Sequence, residues 1–427
     1  MPPPAGKTTG RSRPSYLAAP PLLYESEPFE GADVLREHPG VLGAVLWKSL
    51  RDVTAWTETA EGDRAALFSP AAAAARADEV AGSGAEPELW APLLVFARLL
   101  QHPTQVDYGR LVNACRAVAR WGDRRGFTAV QLAFTQAAAR LAPTHPGLAY
   151  AVGRLSRDRG EYARSETWLR ASIRLARGRD WHTYALAYLS LGTLYKQLGN
   201  LPAARAVTER GLRTSVRRRL RRLQGAAYHN LCTLAGESGD YGQAQRYAAE
   251  ALQRYGAGHP RLPALAYDLG LTWFLCGYFE RALPVLEAVL AHLPESVERA
   301  MGLANTARAA AGAGDSVRFE RYWRQAQAAL EASDAHPAAA EGWLALARAA
   351  VLAGDGDRAR AAATRAGAMA TTLRLGQSRL EADAVMESAR ANAPRPSPRD
   401  AEGERVYREA GELASRMVES LATAPAA

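Results

Sequence analysis

Residues 187–212 read AYLSLGTLYKQLGNLPAARAVTERGL, and residues 226–252 read AAYHNLCTLAGESGDYGQAQRYAAEAL. Aligned with each other, the two stretches match at aromatic, leucine, small and glycine positions: Tyr188 with Tyr228, Leu191 with Leu231, Gly192 with Cys232, Gly199 with Gly239, Leu201 with Tyr241, and Ala204 with Ala244. A pattern that returns at a fixed spacing is the signature of a repeat protein, in which each unit packs on its neighbours.

Further copies of the pattern flank these two stretches, about 37 to 40 residues apart. One lies upstream, one downstream and one later in the chain, with a weaker unit around Gly314, Asp315 and Trp323. The matching residues are, in chain order, Gly153, Gly160, Tyr162 and Ser165; Leu269, Gly270, Trp273, Gly277, Phe279 and Ala282; and Trp343, Leu346, Ala347, Ala350, Gly354 and Ala359. Five units in phase predict an array of similar helical hairpins.

The residue types explain why each unit forms a hairpin. Small residues at Gly192, Cys232 and Gly270 allow two antiparallel helices to approach closely. The pairs Gly199–Asn200 and Gly239–Asp240 are typical of turns that end one helix and start the next. The pattern resembles the tetratricopeptide repeat family over residues 146–373, with a fainter extension through 108–143, although the period exceeds the usual value of about 34 residues.

That resemblance implies an all-α fold in which antiparallel helix hairpins stack into a right-handed superhelix, with an N-terminal helical cap or bundle and a C-terminal capping helix. We expect a disordered tail at 1–25, the cap or bundle at 26–105 and the repeat array at 106–391. A proline-rich linker at 392–400 and a capping helix with a tail at 401–427 complete the expected organisation. We expect the last helix, about 401–422, to cover the exposed face of the final repeat.

Composition narrows the possible settings. No apolar run is long enough to span a bilayer, and the proline-rich N-terminus lacks the hydrophobic core of a secretory signal. Three isolated cysteines, Cys115, Cys232 and Cys276, form neither a disulfide framework nor a metal motif, so we expect a cytoplasmic protein. The net charge of +9 belongs to the middle of the chain, since residues 106–391 carry 39 basic and 25 acidic side chains.

Motifs for chemistry are missing from the sequence. We find no zinc-protease, nucleophile-elbow, phosphate-loop or dinucleotide motif, and the eight histidines are scattered singly. We therefore predict a non-catalytic protein without a cofactor or metal. In the repeat family the first helix of every unit lines a groove, and the positions that match here are Tyr150, Arg154, Arg157, Thr193, Lys196, His229, Asn230, Thr233 and Tyr267.

This groove is basic and rich in hydroxyl groups, with aromatic anchors, so it suits an extended acidic or C-terminal peptide of a protein partner. The asparagine-and-lysine clamp by which some members of the family hold a chaperone's terminal carboxylate is not reproduced here. The leading hypothesis is thus a protein-binding scaffold. The alternative is a regulator associated with nucleic acid, or one that senses a peptide.

The nucleic-acid alternative rests on a basic cluster with six arginines in ten positions: Arg213, Arg217, Arg218, Arg219, Arg221 and Arg222. The apolar residues Val216, Leu220, Leu223, Ala227, Leu231 and Leu234 recur at helical spacing through the same stretch. We therefore predict one helix that begins near Val216 with Ser215 as its N-cap and carries the arginines on its polar side. The cluster suits an acidic protein, a nucleic-acid backbone or plain solvation, and the sequence leaves the three open.

Overall fold

The computed structural model describes residues 31–294, 296–333, 336–373, 375–389 and 401–423, and every regular element in these ranges is a helix. The predicted all-α fold of stacked antiparallel hairpins is confirmed. The expected tail at 1–25 and linker at 392–400 lie outside the described residues. The described chain divides by its internal contacts into two compact units, which meet in sequence between Arg219 and Leu220.

Unit 1 contains ten α-helices and one short 3-10 helix, Glu61–Ala66, within its described residues. The helices are α1 (Ala32–Glu37), α2 (Val41–Glu58), α3 (Pro70–Ala81), α4 (Pro87–Gln101), α5 (Tyr108–Arg125), α6 (Thr128–Leu141), α7 (Pro146–Asp158), α8 (Tyr162–Ala176), α9 (Trp181–Gln197) and α10 (Leu201–Arg217).

The described part of unit 2 contains ten more helices. They are α11 (Arg221–Glu237), α12 (Tyr241–Tyr255), α13 (Leu262–Leu275), α14 (Phe279–Leu290), α15 (Val297–Gly312), α16 (Ser316–Glu331), α17 (Pro337–Ala353), α18 (Gly356–Thr372), α19 (Gly376–Ser388) and α20 (Ala401–Ala422).

Seven hairpins follow one another along the two units, and in each we call the first helix A and the second B. The A helices are α5, α7 and α9 in unit 1 and α11, α13, α15 and α17 in unit 2. Within a unit, most helices pack on their neighbours in the chain; α17 packs on α15 as well as on α18, and α20 packs on helices distant in the chain. The predicted boundaries of the cap, the array and the last helix stay predictions, as does the handedness of the superhelix.

The turn inside every hairpin has the same construction. The A helix ends at a glycine whose φ lies between 69° and 78°, a conformation that strains any residue with a side chain. The next residue donates its backbone N–H to the carbonyl five residues earlier, as Asn200 does to Tyr195 and Asp315 does to Ala310, both at 2.9 Å. The seven glycines are Gly126, Gly160, Gly199, Gly239, Gly277, Gly314 and Gly354.

The residue after the glycine often starts the B helix as well. Asn200, Asp240, Asp315 and Asp355 each accept a hydrogen bond from the backbone N–H three residues further on. This bond satisfies one of the free N–H groups at a helix start, and an alanine in its place typically costs about 1 kcal/mol. A single glycine–Asx pair therefore closes one helix and opens the next.

Close approach of the two helices depends on the small residues that the sequence singled out. A Cβ placed on Gly192 of α9 would lie 2.1 Å from Oγ1 of Thr208 on α10. A Cβ on Gly153 would lie 2.7 Å from Leu169, and one on Gly270 would lie 2.9 Å from Leu286. The helices of these hairpins thus pack so closely that no side chain fits between them at these points.

Three of the four N-terminal helices, α1, α2 and α4, pack on the first hairpin, and α3 packs on α2 and α4. The carboxylate of Glu37, at the end of α1, accepts hydrogen bonds from the backbone N–H groups of Ala129 at 2.9 Å and Val130 at 3.0 Å. It therefore caps α6, whose own N-cap residue, Phe127, makes no capping bond. A negative charge at a helix N-terminus is favourable, so this contact ties the N-terminal helices to the array.

The last helix is placed differently from our expectation. The final hairpin, α17 with α18, is covered by α19, whereas α20 packs against α12, α13 and α14. Gln245 of α12 links α13 to α20 in the buried interface. It accepts a hydrogen bond from Nε1 of Trp273 at 2.7 Å and donates one to the carbonyl of Val406 at 3.1 Å. The buried side of α20 consists of Val406, Ala410, Leu413, Ala414, Met417 and Leu421.

We predict that Gly192→Ala destabilises the protein by about 1–3 kcal/mol, because the added methyl group forces α9 and α10 apart. Urea unfolding followed by circular dichroism measures the change. Gly62→Ala is the matched control, since a Cβ there meets nothing within 4 Å. Its effect should stay within about 0.5 kcal/mol. Equal losses in the two variants would show that helix contact at Gly192 is unimportant.

Candidate functional site

The turn glycines give a common register for the surfaces of the A helices. The position six residues before each glycine is occupied by Arg120, Arg154, Thr193, Thr233, Leu271, Arg308 and Arg348. None of these side chains is fully buried. The repeated fold thus gives every A helix one position that is exposed or half-buried, and in four of the seven hairpins that position carries an arginine.

In unit 1 the A helices α5 and α7 border a cavity of about 350 Å³. Its walls include Arg116 and Arg120 from α5, Arg154 from α7 and His145 from the turn before α7. Arg116 and Arg120 are exposed and form no ion pair within the described residues. Arg154 pairs with Asp158 at 3.2 Å. Against these three arginines the lining contains one carboxylate, Asp123, so the cavity presents an excess of positive charge to solvent.

The predicted groove residues of unit 1 all lie on the A helices α7 and α9, and all are half-buried. Arg157 donates to Asp158 at 2.8 Å and to Oγ of Ser190, on the neighbouring A helix, at 3.4 Å. Thr193 donates its hydroxyl to the carbonyl of Leu189 in its own helix. The remaining two are Tyr150 and Lys196. Their role in binding stays a prediction.

In unit 2 the predicted groove residues are more deeply engaged in the fold. His229 is buried, with Nε2 at 2.9 Å from Asp268 and Nδ1 at 3.4 Å from the hydroxyl of Tyr255. Tyr267 accepts a hydrogen bond from Asn305 at 2.7 Å, and burial raises the pKa of its phenol to about 12. Asn230, Thr233 and Tyr267 are half-buried, so within this set only His229 is enclosed by the fold.

Sequence reasoning missed four arginines: Arg116 and Arg120 in unit 1, and Arg308 and Arg348 in unit 2. Arg308 and Arg348 occupy the same repeat position as Arg154, which the sequence analysis did select. Alignment of every unit on its turn glycine would have found Arg120, Arg308 and Arg348.

The predicted helix through the basic cluster is wrong. α10 continues to Arg217, Arg219 adopts a left-handed conformation with φ of 55°, and α11 begins at Arg221. Ser215 lies in the last turn of α10, where it donates to the carbonyl of Gly211, so it is no N-cap. Val216, expected in the apolar stripe, is 53% exposed.

This correction divides the cluster between two helix ends and changes its electrostatics. Arg213 and Arg217 lie near the C-terminus of α10, where positive charge is favoured by the helix dipole. Arg221 and Arg222 lie in the first turn of α11, where it is disfavoured. The four arginines of unit 1, which include Arg218 and Arg219, therefore lie at or just beyond the C-terminus of a helix, whereas the two of unit 2 lie at a helix N-terminus.

In unit 1 the end of α10 and the start of α9 form a cavity of about 270 Å³. Trp181 and Tyr184 contribute aromatic rings to its walls, and the guanidinium carbon of Arg218 lies 4.2 Å from the centre of the Trp181 ring. The other lining residues are Arg210, Arg213, Thr214 and Arg217. The aromatic partner that the basic stretch lacks in sequence is thus supplied by a neighbouring helix.

The cysteines do not form a reactive site. All three thiols are free, and Cys115 and Cys232 are buried. Burial raises the pKa of Cys115, and it raises the pKa of Cys232 and of Cys276 to about 12, so none is a thiolate at neutral pH. Among the described residues no cluster of side chains suited to a metal occurs, and none of the described helices is long and apolar enough to cross a membrane.

No family model matches the chain, and no curated protein matches it. Similar solved structures include the Cut9–Hcn1 hetero-tetramer of the APC/C, which is 14% identical. The alignment covers 81% of this chain and 67% of the matched chain, with a TM-score of 0.42. BtubC from P. vanneervenii is 17% identical, and the alignment covers 54% of this chain and 94% of BtubC with a TM-score of 0.40. A Rap protein complexed with Competence and Sporulation Factor is 8% identical, and the alignment covers 82% of this chain and 97% of the Rap protein with a TM-score of 0.35. These likenesses carry no information on function.

Proposed function

We propose that this protein is a non-catalytic interaction module whose A-helix surfaces bind an extended acidic segment of another protein. The observation that carries the proposal is the cavity between α5 and α7, where Arg116 and Arg120 are exposed without an acidic partner beside Arg154. Guanidinium groups bind carboxylates through two parallel hydrogen bonds, so an acidic segment complements this surface.

A binding surface with an excess of one charge attracts an oppositely charged partner before the two proteins touch, as well as after they bind. Residues 106–391 carry a net charge of +14. Such a field accelerates the encounter with an acidic partner, and added salt weakens the acceleration. The half-buried groove residues Tyr150 and Arg157 then supply contact area once the segment lies against α7.

We predict that the double variant Arg116→Glu with Arg120→Glu lowers affinity for an acidic partner at least tenfold, because it reverses the charge at the cavity wall. Partners are captured from lysate on the immobilised protein, identified by mass spectrometry, and titrated by interferometry. The acidic fraction of the captured proteins should fall with the charge reversal.

The matched control is Arg174→Glu with Arg205→Glu, which makes the same change of charge on the B helices α8 and α10. Neither arginine forms an ion pair within the described residues. Equal loss of partners in the two double variants would mean that net charge, and not the A-helix surface, determines binding.

The cavity at Trp181 supports a second candidate function, which is contact with the phosphates of a single-stranded nucleic acid. Four arginines line this cavity, and within the described part of the chain the one carboxylate that pairs with them is Glu209, 3.4 Å from Arg213. Stacked arginine and tryptophan side chains offer a flat surface to a base, while the other guanidinium groups face the backbone.

We predict under this second candidate that Arg217→Gln with Arg218→Gln weakens retention on single-stranded DNA and flattens the salt dependence. Each lost phosphate contact changes the slope of log K against log salt by about 0.7. Arg221→Gln with Arg222→Gln, at the start of α11, removes the same charge from residues that do not line this cavity and serves as the control. No retention of the wild-type chain, or equal slopes for both variants, would remove this candidate.

A further inference from the structure

The guanidinium of Arg308 on α15 is largely buried and lacks a partner. Its Nε atom is shielded from solvent and makes no hydrogen bond, and no carboxylate of the described residues pairs with it. The charged group that acts on it is another cation, Arg348 on α17, and its guanidinium carbon lies 4.7 Å from the centre of the Phe274 ring. Burial, together with the repulsion from Arg348, lowers the pKa of Arg308 to about 10.

Arg308 lines a cavity of about 330 Å³ in unit 2, between the A helices α15 and α17 and the helix α19. Most of the wall is apolar and includes Phe279, Val351, Leu352 and Val385. The polar remainder is mainly a pair between Arg348 and Glu381, 2.7 Å apart. Because Glu381 is engaged by Arg348, the charge of Arg308 stays uncompensated.

An uncompensated buried charge is costly to a fold, and removal of such a charge often leaves stability unchanged or improves it. Nothing in the packing around Arg308 requires a guanidinium, since the cation–π contact with Phe274 is much weaker than the cost of burial. The arrangement suits a ligand that brings its own negative charge. The apolar wall adds a second requirement, which is an apolar group next to that charge.

We propose that the Arg308 cavity is the anchor site for a glutamate or aspartate side chain of the bound segment, flanked in its sequence by an apolar residue. The proposal rests on the proposed function, because it names the chemistry of one contact on the same A-helix surfaces. A single unpaired guanidinium matches the charge of a single carboxylate and holds both of its oxygens. Phosphate, with more charge and stronger hydration, fits the apolar wall less well.

The acidic residue is internal to the segment because the surface it lies on continues across the A helices. The equivalent repeat position is accessible on α11 and α13, as Thr233 and Leu271, before α15 is reached. A segment that extends along these helices passes the Arg308 cavity without having to end there. The free carboxylate at a chain's C-terminus would bring the same negative charge, and the experiment distinguishes it from the side-chain carboxylate of an internal residue.

The test uses the full chain and two libraries of acetylated, amidated heptapeptides with random residues around a fixed centre, glutamate in one and glutamine in the other. We expect the wild-type protein to retain the glutamate library at least tenfold better, with apolar residues enriched beside the centre. Arg308→Met keeps most of the side-chain volume and should remove this preference. Arg324→Met, on the exposed side of α16, should retain it.

Thermal unfolding of the same variants separates binding from folding. Without ligand, Arg308→Met should melt at or above the temperature of the wild-type protein, because an unpaired buried charge is lost. A clearly lower melting temperature would show that Arg308 supports the fold, and it would overturn the proposal. Equal retention of the two libraries by the wild-type protein would overturn it as well.

A third library, with a glutamine centre and a free C-terminal carboxylate, tests the competing source. Retention of this library that depends on Arg308, without retention of the amidated glutamate library, would assign the cavity to a chain terminus and contradict the internal anchor. If Arg116→Glu with Arg120→Glu abolishes capture of acidic partners while Arg308→Met changes nothing, the proposed function stands and the anchor site fails.

Discussion

The left-handed glycine at the end of each A helix is the constraint on which the rest of the structure depends. It allows the following N–H to bond back to a carbonyl five residues earlier, so the chain reverses within two residues. A side chain at this φ strains the backbone, and a longer turn would free the second helix to pack at another angle. The seven repeats of this turn, from Gly126 to Gly354, set the register of every hairpin.

That register determines which side chains the A helices present. Once the glycine is fixed, the position six residues before it is exposed or half-buried in every hairpin, whatever residue stands there. Gly192 lets the B helix α10 approach the A helix α9 closely, since a Cβ there would lie 2.1 Å from Oγ1 of Thr208. Four arginines therefore share one repeat position, although their environments range from exposed to largely buried: Arg120, Arg154, Arg308 and Arg348.

Much of the fold follows from the sequence because its determinants are local. Glycines such as Gly199, small residues such as Gly192 and capping residues such as Asn200 recur at one spacing, and each has a direct steric or hydrogen-bonding reason. The break at Arg219 could not be predicted in this way, because a non-glycine residue in the left-handed region leaves no signature in the sequence. The apolar spacing from Val216 to Leu223 continues across it by coincidence.

The placement of α20 and the surroundings of individual site residues depend on tertiary contacts. An amphipathic helix specifies that one side is buried but not the surface that buries it, so the docking on α12 and α14 through Gln245 lay beyond prediction. His229 matched a groove position by repeat alignment, yet Asp268 and Tyr255 hold it inside the fold. Spacing from the turn glycine selects the position of Arg308, but the burial and the missing partner of its guanidinium depend on neighbouring side chains, which spacing does not reveal.

Site-specific photocrosslinking tests most directly whether the A-helix surfaces bind the partner. Benzoylphenylalanine replaces Thr193 in unit 1 or Thr233 in unit 2, and for comparison Arg205 or Arg246 on the B helices α10 and α12. The account predicts that crosslinks to acidic segments of partner proteins form from the two A-helix positions and not from the B-helix positions. Equal crosslinking from both sets, or crosslinked segments without an excess of acidic residues, would contradict it.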